Sequence, residues 1–199
     1  MAALVGLSSA DVAALADGGS YVINAQVSNT IGNSGSDNHS VTVDLTAPSM
    51  GISIDSLQND TGLSASDFIT NDSQVVVNGS LTAQLGNNEK AQISLDGGVT
   101  WTDVSVSGLS WTYVDGRTLA DGDYNYQLRV IDDAGNISAT ASQVVTIDTV
   151  APDASKTIAI DSISDDTGLS GSDFITNDTS LTLHGSLGAT LADGEYAQI

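Results

Sequence analysis

Aspartate is the residue through which this chain could do chemistry. Of its 25 acidic residues, 23 are aspartate, and only Glu89 and Glu195 are glutamate. Solubility alone would accept either acid. The shorter carboxylate bonds turn amides close to its own backbone, and it offers compact oxygen ligands to a hard cation such as Ca2+. The aspartates recur in loops: Asp60, Asp67 and Asp72; Asp121 and Asp123; and the run Asp132-Asp133-Ala134-Gly135-Asn136. Other chemistry finds little footing. His39 and His184 have no nearby partner of catalytic type, and neither lies in a Gly-flanked nucleophile turn. Glycine-rich phosphate loops, zinc spacings, EF-hand loops and calcium-binding nonapeptides are all missing from the sequence. A calcium site would therefore have to be assembled from separate loops.

The charge balance narrows the partners. Only Lys90, Arg117, Arg129 and Lys156 oppose the acids, for a formal net charge of −21. Nucleic acid and anionic membrane both call for basic patches, so neither is expected as a partner. The absence of cysteine rules out a disulfide framework. The apolar stretch Ala2 to Leu7 is too short to span a membrane, and it lacks the basic flank of a signal peptide.

The elements that must position the aspartates come from a repeat. Ile54 to Asp72 recurs as Ile160 to Asp178, and 24 of the 40 aligned positions from Ile54 to Ile93 and Ile160 to Ile199 are identical. A second register, offset by 104, equates Leu15-Ala16-Asp17-Gly18 with Leu119-Ala120-Asp121-Gly122, and Asp44 to Pro48 with Asp148 to Pro152. The chain is thus expected to hold the back half of one repeat (1–48), a complete repeat (49–152) and the front half of a third (153–199). The two prolines mark the joints, where a fixed φ and a missing donor suit the end of a strand.

Short alternating runs between Gly, Asn, Asp and Ser turns predict an all-β fold. Strands are expected near 51–55, 74–80, 90–96, 100–106, 109–114, 123–132 and 142–148. Seven short strands in about 100 residues match the rhythm of an immunoglobulin-like β-sandwich, here in tandem. Comparing copies sets the register. Val75 and Val77 should face inward because Leu181-Thr182-Leu183 alternates, and Val145 and Ile147 inward with Val41 and Val43. Tyr124, entering the sixth strand after a Gly turn, fits a tyrosine corner, and Tyr21 repeats it.

This topology tells which loops can meet. The loop after the first strand, the turn before the sixth and the end of the seventh share the C-terminal pole; the turn after the sixth strand lies at the N-terminal pole. At the first joint Asp17 and Asp44 should approach Asp132, Asp133 and Asn136, while Asp60, Asp121 and Asp148 gather at the next. Clustered carboxylates repel one another unless paired. A dication taking six to eight oxygens would relieve that and lock the joint.

The order Asp-Thr-x-Ala-Pro, the Asp-Asp-Thr-Gly loop, SLDGGVTW, LADGDYNYQLRVIDDAGN and VTIDTVAP resembles the bacterial Ig-like tandem repeats of very large, type I-secreted, biofilm-associated RTX-type adhesins. The resemblance covers nearly the whole chain. It implies an extracellular, non-catalytic rod at the bacterial surface, stiffened by Ca2+ at its joints, with Asp44, Asp132 and Asp148 as the residues it singles out. Its partners would be the neighbouring repeats, together with a host or cell-surface ligand held by distal domains. The first half-repeat departs from the pattern, with Ser28 to Asn33 in place of the Asp132 turn.

Two other readings compete. A ligand-binding Ig-like module would need an exposed aromatic platform, for which Trp111 and Tyr113 are the expected outward pair. Ser94 to Trp101 fits the S-x-D-x-G-x-T-W Asp-box hairpin of sialidases, but two arginines are too few for such a site. The half-repeats are also complementary parts of one fold, so strand complementation between chains is conceivable.

Overall fold

The structure, a computed structural model, describes residues 15–138 and 140–199; the stretch Ala2 to Leu7 and the opening of the 1–48 segment lie outside the described residues. Two units divide between Thr149 and Val150. All their regular elements, among the described residues, are strands.

In the first unit β1 (Ser20–Ser28) and β2 (Ser34–Thr42) form an antiparallel hairpin. Its turn is closed by Asn29, whose Oδ1 accepts the N–H groups of Ile31 and Asn33. His39 lies within β2 opposite Ile23.

The complete repeat follows with β3 (Ile52–Leu57), β4 (Ile69–Thr70), β5 (Val76–Leu81), β6 (Glu89–Ser94), β7 (Thr102–Asp103), β8 (Ser105–Ser107), β9 (Ser110–Val114), β10 (Gly122–Asp132) and β11 (Ala141–Ile147). They build a four-stranded sheet, β3-β5-β9-β8, and a five-stranded sheet, β4-β11-β10-β6-β7. The fold is an all-β, Ig-like sandwich. Two features escaped the sequence reading. The run 100–106 is not one strand: β7 pairs with β6 and β8 with β9, so the chain changes sheets at the buried Val104. And the two-residue β4 adds a parallel contact to β11.

The predicted alternation appears in the core. Val75 and Val77 are buried from one sheet, and Tyr126, Leu128, Val130, Val145 and Ile147 from the other, while Val144 is exposed. Each large apolar side chain fully withdrawn from water contributes about 1.5–3 kcal/mol. Trp111 is the exception to the expected facing. It is 1 % exposed, so the outward aromatic pair does not exist. Its indole lies beside Gly79, its cross-strand neighbour, and Nε1 donates to the Ser53 carbonyl at 3.0 Å. Tyr113 packs on the same core.

Turn chemistry holds the poles. Tyr124 Oη donates to the Ala120 carbonyl at 2.9 Å, the expected tyrosine corner. Tyr21 uses its hydroxyl the other way, accepting the Ala16 N–H at 2.8 Å. The loop between β3 and β4 turns at Phe68, left-handed at φ 63°, whose N–H is held by Asp60 Oδ2 at 3.1 Å.

In the second unit β12 (Ile158–Ile163) pairs antiparallel with β13 (Leu183–Leu187). The register slips after Ile160, as it does after Ile54 in β3. Among its described residues this unit has no second sheet. The copies of core positions are accordingly uncovered: Ile158 is 60 % exposed where Ile52 is 8 %, and Leu187 43 % where Leu81 is 4 %.

Candidate functional site

The aspartates named at the first joint act mainly on backbone. Asp17, in the turn before β1, accepts the Leu45 N–H at 2.7 Å on Oδ1 and the Thr46 hydroxyl at 2.6 Å on Oδ2. These bonds, the Thr46 hydroxyl first, lower the Asp17 carboxyl below its ordinary value. Asp121 repeats the arrangement one repeat on, with Oδ1 accepting the N–H and hydroxyl of Thr149 at 3.0 and 2.7 Å. In both repeats, then, the turn aspartate grips the segment that follows the last strand.

Asp132 closes the turn after β10. Its two oxygens accept the Asn136 backbone N–H at 2.8 Å and the Asn136 Nδ2 at 2.9 Å, and its carboxyl is lowered chiefly by that side-chain bond. The same Nδ2 donates to the Asp44 carbonyl oxygen at 3.0 Å. This contact crosses the joint: one amide bridges the segment after β2 and a turn of the complete repeat. The Asp44 carboxylate itself accepts the Thr46 N–H at 3.0 Å. Asp133 fastens the turn through its backbone N–H, donated to the Asn88 carbonyl at 2.9 Å.

At the opposite pole Asp148 donates its N–H to the Thr70 carbonyl, and Leu119 donates to that of Ser73, so the loop after β3, the turn before β10 and the end of β11 do share one end. Asp60 belongs to that loop. The structure thus joins Asp44, Asp132 and Asn136, and places Asp17 and Asp121 in equivalent clamps. Among the described residues it gathers no three Asp, Glu, His or Cys side chains around one point. The clamp itself was missed by sequence reasoning, although the matched spacing of Asp17 to Leu45 and Asp121 to Thr149 carried the signal.

The Ser94 to Trp101 hairpin is a structural turn. Asp96 accepts N–H groups from Val99 and Thr100 and the Thr100 hydroxyl, which with Ser94 lower its carboxyl to about 2. Trp101 Nε1 donates to the Gly98 carbonyl, and the Arg129 guanidinium covers the ring at 4.1 Å. Thr100→Val, which removes the bond that contributes most, should raise the Asp96 pKa toward 3.8, as followed by carboxyl NMR titration. An unchanged titration would mean that the backbone N–H groups alone set it.

The family profile of the bacterial Ig-like domain matches residues 46–149. The chain belongs to the bacterial Ig-like domain family. Such a domain is typically a non-catalytic module and commonly occurs in extracellular or surface proteins. The match takes in the complete sandwich, from the linker after β2 to the end of β11. Among curated proteins none matches the chain. No described helix is long and apolar enough to cross a membrane.

Proposed function

We propose that these bacterial Ig-like repeats are non-catalytic spacers of a large bacterial surface adhesin of the type I-secreted, RTX kind. They would carry an adhesive region away from the cell for attachment and biofilm formation. The reading rests on one observation above all: consecutive repeats are tied through the Asn136 bridge between the Asp44 carbonyl and the Asp132 carboxylate. A joint held in register transmits direction from one repeat to the next.

Ca2+ is the proposed stiffener of that joint. The donor set fits a hard cation, because a backbone carbonyl and a carboxylate from successive repeats already converge on one amide nitrogen. Turning the Asn136 amide would present its oxygen and add a further ligand. The ion would supply charge neutralisation, while Asp17 continues to hold the linker.

Small-angle scattering of the chain with Ca2+ and with EGTA tests this. The maximum dimension is expected to be greater with Ca2+, and Asp132→Ala should abolish the difference. Equal dimensions in the wild-type chain would overturn the calcium reading. The competing ligand-binding reading loses its platform, since Trp111 is in the core and Trp101 lies under Arg129.

A further inference from the structure

Two hairpins of this chain expose the faces that the complete repeat keeps in its core. On β12 and β13, Ile158, Leu183 and Leu187 stand exposed, whereas their copies Ile52, Val77 and Leu81 are buried. On β1, Ile23 is 50 % and Val27 74 % exposed, whereas Tyr126 and Val130, at the matching positions of β10, are fully buried. Among the described residues each hairpin is a two-stranded sheet by itself. Such a hairpin is marginal in water and gains independent stability only when a further layer packs on its apolar face.

The complete repeat shows which cover each face takes. There β3 and β5, the counterparts of β12 and β13, share one core with β10 and β11, the counterparts of β1 and β2. The pairing inside each hairpin is already that of the finished sandwich. Tyr21 stands opposite Val41 as Tyr124 stands opposite Val145, and Ile23 opposite His39 as Tyr126 opposite Gln143. Ile158 pairs with Leu187 as Ile52 pairs with Leu81, and the same irregularity follows Ile160 and Ile54. Each hairpin is thus preset to the register in which the other half of a sandwich would meet it.

We propose that the β1–β2 hairpin of one copy docks face to face on the β12–β13 sheet of a second copy, so that the two halves complete a sandwich between chains. A second copy is the occupant because the β1–β2 hairpin repeats the cover that this sheet has in the complete repeat, and itself lacks a cover. The contact is heterologous: every chain carries one donor and one acceptor, so copies add head to tail into open chains or close into a ring. Burial of the two apolar faces drives it, and the net charge of −21 on each chain opposes it. Salt screens that repulsion, so association should strengthen between about 0.02 M and about 0.5 M NaCl. It needs neither Ca2+ nor the contact between Asn136 and Asp44.

The experiment is sedimentation velocity of the whole chain in EGTA, at about 5 to 500 µM, where modest interfaces form and dissociate. The mean mass should rise with concentration, from one chain toward two and more. Ile23→Asp spoils the donor and Leu183→Asp the acceptor, so each variant should remain a single chain. Their equimolar mixture retains one good donor and one good acceptor, and should stop at two chains. Both substitutions lie outside the complete repeat, whose thermal transition serves as the folding control. A wild-type chain that stays monomeric at every concentration and in high salt would overturn the proposal, whether its two faces stay bare or are covered within the same molecule. Association that both variants retain, or a mixture that forms no heterodimer, would overturn the pairing of these two faces.

Discussion

Asp115→Ala is expected to destabilise the complete repeat by about 3 kcal/mol, the low end of the cost of breaking a buried ion pair. Asp115 is 3 % exposed and serves two partners. Its carboxylate accepts the Tyr126 hydroxyl at 2.7 Å, and Arg117 grips it with Nε at 2.9 Å and Nη2 at 2.7 Å. Removing it leaves the hydroxyl of the fully buried Tyr126 without an acceptor. The Arg117 side chain is 43 % exposed and can recover water, which keeps the loss at the low end. Tyr126→Phe, by contrast, removes only a donor and should cost about 1 kcal/mol. Urea unfolding of both variants and of the double variant gives the coupling directly; near-equal losses would refute the network.

The same carboxylate gives the network a pH dependence. Burial pushes the Asp115 carboxyl up, but the bonds from Arg117 and Tyr126 outweigh it and hold the group below its ordinary value. For the Tyr126 hydroxyl, burial and then the Asp115 bond act together to raise it. A depressed carboxyl stabilises the fold at pH above its unfolded value, about 3.9. That stability is lost as the pH falls through the folded value. Asp115→Ala should therefore have lost this part of the acid sensitivity.

The repeat made the sandwich legible because the copies answer questions that one copy leaves open. Val75-Val76-Val77 has no visible parity, and its alternating counterpart supplied one. Trp111 was misread because facing depends on the strand across from it. The informative residue was Gly79, which stands at an inward position after Val75 and Val77 and recurs as Gly185. A glycine on a core face marks space that a large ring must occupy. The change of sheet at Val104 has no such mark: nothing in Trp101 to Val106 breaks the strand, and the crossing follows from pairing on both sides. The joint was legible as a meeting of Asp44 with the Asp132 turn. Its bonding was not, since composition draws the eye to carboxylates while a backbone carbonyl and an amide make the contact.

Gly79→Ala is expected to be as damaging as removing a core side chain, although it adds a single methyl. A Cβ at this position would stand 2.0 Å from the Ser53 carbonyl oxygen and 2.5 Å from the Trp111 ring. Neither neighbour can yield independently, because Trp111 Nε1 donates to that same carbonyl and β3 pairs with β5 on either side. Relief requires parting β3 from β5 or expelling an indole that is 1 % exposed. Overpacking of this kind costs about 1–3 kcal/mol, and more where backbone must move. Loss of the indole bond adds about 1 kcal/mol. The thermal midpoint of the repeat should fall by roughly 10 °C or more, at about 4–8 °C per kcal/mol for a domain of this size. Gly116→Ala is the matched control: a Cβ there meets nothing within 4 Å and its φ lies outside the left-handed region, so the loss of chain entropy in the unfolded state should leave it neutral or slightly stabilising. Equal midpoints for the two variants would mean that the β3–β5 edge gives way freely, and that Trp111 does not hold the sandwich closed.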